Sequence, residues 1–176
     1  MTMKREELIQ RIKDSAYLTG HFVLRSGRTS TYYLDKYRFE TQPDILRQLG
    51  EEFAKFRTPA TTLIAGAELG GVALAAAASM ATGLPFVIVR NAKKGYGTER
   101  DYEGVLNKGD HVLLVEDIAT TGGQVLEAAK KLTELGCTIE RIVAVIDRQE
   151  GARENIEGGG FHFDALLTSG DLGIGK

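Results

Sequence analysis

Between Lys4 and Tyr17 the apolar residues Leu8, Ile9, Ile12 and Ala16 recur at helical spacing among charged neighbours, which predicts an amphipathic opening helix. The runs His21–Arg25 and Ser30–Asp35, rich in β-branched and aromatic residues, read as two short strands joined by the turn-forming Ser26-Gly27-Arg28-Thr29. Pro43 suits the first turn of a second helix, which Ile45, Leu46, Leu49, Phe53 and Phe56 carry to about Arg57. After Pro59 the pattern changes. Near-continuous apolar runs at 62–67, 86–90, 111–117, 141–147 and 164–169 follow one another, with helical stretches at Val72–Ala81 and Gln124–Leu135. Such runs are strands buried on both faces, and their alternation with helices predicts an α/β domain: a doubly wound, mostly parallel sheet with helices on both sides. Ligands of such sheets sit at the carboxyl ends of the strands, so the residues just after each run hold the chemistry.

One stretch resists this reading. Asn91–Asp110 has no periodicity, is rich in glycine and charge, and is longer than an ordinary strand connection. Its Lys93, Lys94 and Arg100 suit a lid over phosphate. Composition adds bounds. The 176 residues suffice for one domain, and a formal net charge of −2 without blocks of like charge argues against a dedicated nucleic-acid or membrane-surface protein. Any phosphate is therefore held locally. The single Cys137 reads as structural, and His21, His111 and His162 have no partner at metal-ligand spacing. Met1–Ser15 lacks the apolar core of a signal peptide and no long apolar run follows, so a soluble cytoplasmic protein is expected.

The most specific chemistry lies at the end of the 111–117 run. Four apolar residues, Val112 to Val115, are followed by Glu116 and Asp117, then Ile118-Ala119-Thr120-Thr121-Gly122-Gly123-Gln124, which opens into a helix. Backbone N–H groups at such a turn converge on a phosphate, the Thr120 and Thr121 hydroxyls add donors, and the glycines admit close approach. The carboxylates have the wrong sign for phosphate and suit sugar hydroxyls, or a Mg²⁺ bound to them. Neither a G-x-x-x-x-G-K-[ST] loop nor, in Gly66–Gly71, a G-x-G-x-x-G element is present, so P-loop and dinucleotide readings lack support.

The complete string resembles the phosphoribosyl diphosphate (PRPP) motif of type I phosphoribosyltransferases. Three further segments, in the right order, resemble the orotate-specific branch of that family. Phe22–Tyr33 is similar to its N-terminal hairpin, in which Arg25 would face the base and the reacting ribose. Val89–Thr98 resembles its mobile catalytic loop, with Arg90 and Lys94 at pyrophosphate-binding positions, Asn91 where a second Lys is usual and Tyr96 where His is common. Val145–Gly151 is similar to the D-R-x-E-G stretch whose Arg, here Arg148, contacts orotate. Glu68-Leu69-Gly70-Gly71 supplies no cation where some relatives place Lys, but Gly70 and Gly71 fit a backbone nest for pyrophosphate.

The resemblance implies one phosphoribosyltransferase domain over 1–176, with a helix and hairpin hood over about 1–40, a core over about 41–176 and the catalytic loop at 91–110. It implies transfer of the 5-phosphoribosyl group from PRPP to N1 of orotate, giving orotidine 5′-monophosphate and pyrophosphate. Lys94, Asp117 and Glu116 would be catalytic, Arg90, Asn91, Lys94, Tyr96, Gly70, Gly71 and Glu116–Gln124 would hold PRPP, and Arg25, Thr120 and Arg148 would hold orotate. Mg²⁺ would be held mainly by PRPP, and a homodimer would place each loop over the neighbouring site. Two alternatives stay open: a phosphoribosyltransferase for another base, and a PRPP or nucleotide sensor without catalysis.

Overall fold

The computed structural model describes residues 3–23, 27, 29–91 and 100–174. The opening helix α1 (Arg5–Ala16) buries Leu8, Ile12 and Ala16, the stripe expected from their spacing. Strands β1 (Tyr17–Val23) and β2 (Thr29–Leu34) pair antiparallel as a separate ribbon, and Tyr17 stacks on Tyr32 with ring centroids 5.6 Å apart. A five-residue helix, α2 (Lys36–Glu40), then leads into α3 (Pro43–Ala54). The patterning gave no sign of α2, which is too short for a period and offers the single buried apolar residue Phe39.

The core sheet has six strands in the order β5-β4-β3-β6-β7-β8. Strands β3 (Leu63–Ala67), β4 (Phe86–Val89), β6 (His111–Ala119), β7 (Thr138–Asp147) and β8 (Phe163–Thr168) run parallel. Between them lie α4 (Gly71–Thr82), α5 (Gly123–Glu134) and α6 (Ala152–Gly158). One face packs Leu74, Ala75 and Ala78 of α4 with Ile45, Leu49 and Phe53 of α3, and the other packs Val125, Ala128, Ala129 and Leu132 of α5 with Ile156 of α6. The doubly wound expectation is therefore met.

One expectation is corrected. The stretch 91–110, read as loop throughout, contains the edge strand β5 (Tyr102–Glu103), which pairs antiparallel with β4; two residues are too few to show alternation.

Glycine sets the closest packing. A Cβ on Gly66 would overlap the Gly71 carbonyl, so the end of β3 and the start of α4 can meet only as bare backbone. This brings the turn before α4 to the carboxyl edge of the sheet, beside the end of β6.

Candidate active site

Lys36 and the continuous stretch Glu116–Val125 line a cavity of about 570 Å³ at that edge. The floor is the turn from β6 into α5. Gly122 caps α5 at φ +73°, and a Cβ there would lie 2.8 Å from Ile156 Cδ1, so backbone freedom and close packing on α6 both require glycine. From α6, Asn155 Nδ2 donates to the Thr121 carbonyl at 2.9 Å and pins the turn from behind. The opening N–H groups of a helix have no partner within it, and here they face the cavity together with the Thr120–Gly123 segment. A phosphate fits this floor.

The two carboxylates are not equivalent. Asp117 is 3% exposed, and its Oδ2 pairs with Lys36 Nζ at 2.6 Å while its Oδ1 accepts from the Ile118 N–H. Glu116 turns its Oε1 back onto the Asp117 N–H at 2.9 Å. Burial, and then the charge of Asp117, push the Glu116 carboxyl well above the usual carboxylate range and favour its neutral form. For Lys36, burial pulls downward, but the hydrogen bond and charge of Asp117 outweigh it and the net shift is upward. Behind this pair Glu40 is 3% exposed, and its carboxyl is pushed up to about 8 by burial and then by the charge of Asp117.

The turn preceding α4 closes another wall. A Cβ on Gly70 would overlap Asp117 Oδ2, so glycine here is a condition for the carboxylate's position. The Asn91 N–H donates to Glu68 Oε1 at 2.7 Å, its Nδ2 donates to the Glu68 carbonyl at 3.0 Å, and Gln124 Nε2 donates to the same carbonyl at 2.9 Å and to Asn91 Oδ1 at 3.0 Å. Asn91, where a Lys is usual in the family resembled, therefore ties the Gly70 turn to α5. Arg90 lies 3.8 Å from Glu68 and 3.4 Å from Glu103.

At the end of β7, Arg148 Nη2 donates to the Tyr32 hydroxyl of the hood at 3.1 Å and pairs with Glu150 at 3.0 Å. Its backbone is held by the Ala119 carbonyl, and the bond from the Gln149 N–H to Asp147 Oδ1 fixes the turn beyond it. The structure thus brings together Gly70, Gly71, Glu116–Gln124, Asn91, Arg90 and Arg148 along one edge. Arg25, Lys94 and Tyr96 lie outside the described residues. Sequence reasoning missed Lys36 and Glu40; their spacing of four on one helix was the available signal, but it points to no ligand without the fold.

Comparison with known proteins agrees with this geometry. The phosphoribosyl transferase domain model matches residues 43–158. The chain is 46% identical to an orotate phosphoribosyltransferase of Methanocella arvoryzae, over 94% of this chain and 95% of the relative. It is 44% identical to that of Natronomonas pharaonis, over 97% and 98%. Among solved structures, the orotate phosphoribosyltransferase of Mycobacterium tuberculosis H37Rv in complex with PRPP superposes with a TM-score of 0.81 at 28% identity, covering 97% of this chain and 99% of that one. Strand order, phosphate turn and likeness over nearly the full length converge: the chain belongs to the phosphoribosyl transferase family, with the orotate phosphoribosyltransferases as its relatives.

Proposed function

We propose that this chain transfers the 5-phosphoribosyl group of PRPP to N1 of orotate, releasing pyrophosphate and orotidine 5′-monophosphate for pyrimidine nucleotide synthesis. The observation that carries this reading is that the carboxyl edge of the sheet holds together a turn suited to phosphate, the Asp117 carboxylate and, at the end of β7, the Arg148 guanidinium. The Thr120–Gly123 turn takes the 5-phosphate, Asp117 the ribose hydroxyls, the Gly70 turn the diphosphate, and Arg148 the orotate carboxylate.

Bond breaking at the anomeric carbon develops positive charge on the sugar and moves negative charge onto the diphosphate. Asp117 is placed to steady the first; Glu116, favoured in its neutral form, contributes a hydrogen bond and not a charge. Mg²⁺, held mainly by PRPP, would supply charge neutralisation at the diphosphate, and Asp117, a carboxylate that lines the cavity, is a hard donor of the kind it takes. Arg90 and Lys94 complete the neutralisation, with Arg25 and Thr120 at the base and ribose. The working unit is a cytoplasmic homodimer in which the 91–110 segment of one subunit covers its neighbour's site; the family likeness supports this.

The test is the ultraviolet absorbance change of purified protein with PRPP and Mg²⁺, supplied in turn with orotate, uracil, hypoxanthine and adenine. Orotate alone is consumed, and chelation of Mg²⁺ stops the reaction. Turnover of a purine would move the assignment to another base, and binding of PRPP without any turnover would make the chain a sensor.

A further inference from the structure

Lys36 is the only cation among the described residues that line the cavity. It stands where two walls meet. Its Nζ lies 2.6 Å from Asp117 Oδ2 and 3.1 Å from the point at which Gly70 would carry a Cβ, so it touches the carboxylate wall and the Gly70 turn at once. Its side chain is 32% exposed, and it lines the cavity. An ammonium has three N–H donors, and the ion pair with Asp117 uses one of them.

A group that only held Asp117 in place could be wholly buried; this one presents its charge where a ligand arrives. Resting on the phosphoribosyl-transfer reading, PRPP lies with its ribose hydroxyls on Asp117 and its diphosphate on the Gly70 turn. The junction of those walls then faces the diphosphate beside the anomeric carbon. The turn itself supplies no side-chain cation, since its residues are Glu68, Leu69, Gly70 and Gly71.

We propose that Lys36 is a substrate-binding residue that grips the diphosphate of PRPP from the hood side, taking the part that the cation-free Gly70 turn leaves open. The diphosphate is anionic before and after bond breaking, so a cation beside it stabilises ground state and transition state alike. Loss of such an interaction raises KM and lowers kcat by less. The site's charge balance is then built from three distant segments: α2 gives the cation, β6 the carboxylate, and the turn before α4 the bare backbone that lets them meet.

The experiment compares wild type with Lys36→Gln and Lys36→Arg. The Gln amide still donates to Asp117, so this variant removes charge and keeps the local bond; Arg restores the charge. Pyrophosphate and PRPP are titrated by calorimetry in the absence of any base, and KM for PRPP, KM for orotate and kcat are measured separately. The expected result for Lys36→Gln is an about tenfold weaker Kd for pyrophosphate and PRPP and an equal rise in KM for PRPP. KM for orotate stays within twofold, kcat falls less than threefold, and Lys36→Arg recovers most of the affinity. Equal pyrophosphate affinity in all three proteins, or a fall in kcat with KM for PRPP unchanged, overturns the proposal and leaves Lys36 as a support for Asp117. The binding titrations need no acceptor base, so they answer for Lys36 even if wild type turns over no orotate and the functional reading fails.

Discussion

The two walls of the cavity suit anions by opposite means. The β6–α5 turn does so with shape: backbone donors, a left-handed Gly122 and a brace from Asn155, none of them carrying a formal charge. The α2 side does so with charge: Lys36 paired to a nearly buried Asp117, with Glu40 and Glu116 packed behind. A binding surface made of shape tolerates changes of pH and salt but not an added methyl group. One made of charge tolerates small steric changes at its edge but not a shift in the proton count. Gly70 is where the two meet, because a backbone without a side chain is what lets the charged pair close.

The sharpest way to break this contrast is therefore at Gly70. In Gly70→Ala the new methyl and Asp117 Oδ2 compete for one place, so the carboxylate must turn away from Lys36. We expect kcat/KM for PRPP to fall about 100-fold, equivalent to about 2.7 kcal/mol of transition-state stabilisation. Steady-state kinetics on well-folded protein decide it, and an unchanged value would separate the turn from the carboxylate. On the wall made of shape, Gly122→Ala places a side chain at φ +73° and within 3 Å of the buried Ile156 side chain. The expected cost is about 1–2 kcal/mol of stability, read in denaturant unfolding, together with weaker PRPP binding. Arg148→Gln tests the far end of the edge: KM for orotate rises about tenfold, consistent with a charge-assisted hydrogen bond of about 1.5–3 kcal/mol, while KM for PRPP holds. A parallel rise in both would place Arg148 in the charged wall.

The smallest effect is also the most diagnostic. Glu40 has a folded pKa raised to about 8 from 4.5, by burial first, then by Asp117, with Lys36 opposing and Glu116 and Asp35 adding. The folded protein thus keeps a proton that the unfolded chain has already released, so this group costs nothing below about pH 4.5 and progressively destabilises the fold as pH rises to about 8. In Glu40→Gln the penalty disappears. The Tm of the variant should therefore gain on wild type between those pH values and level off above them. A constant Tm difference across the range would remove Glu40 from the charged wall.

The same contrast explains what the amino-acid sequence could reveal. The wall made of shape is contiguous, Ile118 to Gln124, and its pattern is legible in neighbours along the chain: after an apolar strand and two carboxylates come hydroxyls, glycines and a helix. Arg148 was singled out because it follows a core strand and falls in a stretch similar to the family's D-R-x-E-G. Lys36 and Glu40 were not, since their meaning comes from Asp117, far along the chain, and from a helix of five residues that has no period to detect. Asn91, which the family pattern marked as a lost cation, has its role in hydrogen bonds to Glu68 and Gln124 that only the packed turn creates. The non-equivalence of Glu116 and Asp117 follows from burial and a backbone bond, and adjacent letters carry neither.

The edge strand β5 has a consequence of its own. The Arg90 N–H donates to the Asp101 carbonyl at 2.8 Å, and Val89 faces Tyr102 across the antiparallel pair, so residues 90 and 101 are held side by side at the edge of the sheet. Closing a flexible loop on fixed footings costs conformational entropy that grows only logarithmically with length, about 0.6 kcal/mol for each doubling. Residue number in that segment is thus nearly free thermodynamically. The number of residues between those footings can therefore change at small cost while the six-stranded sheet keeps its register.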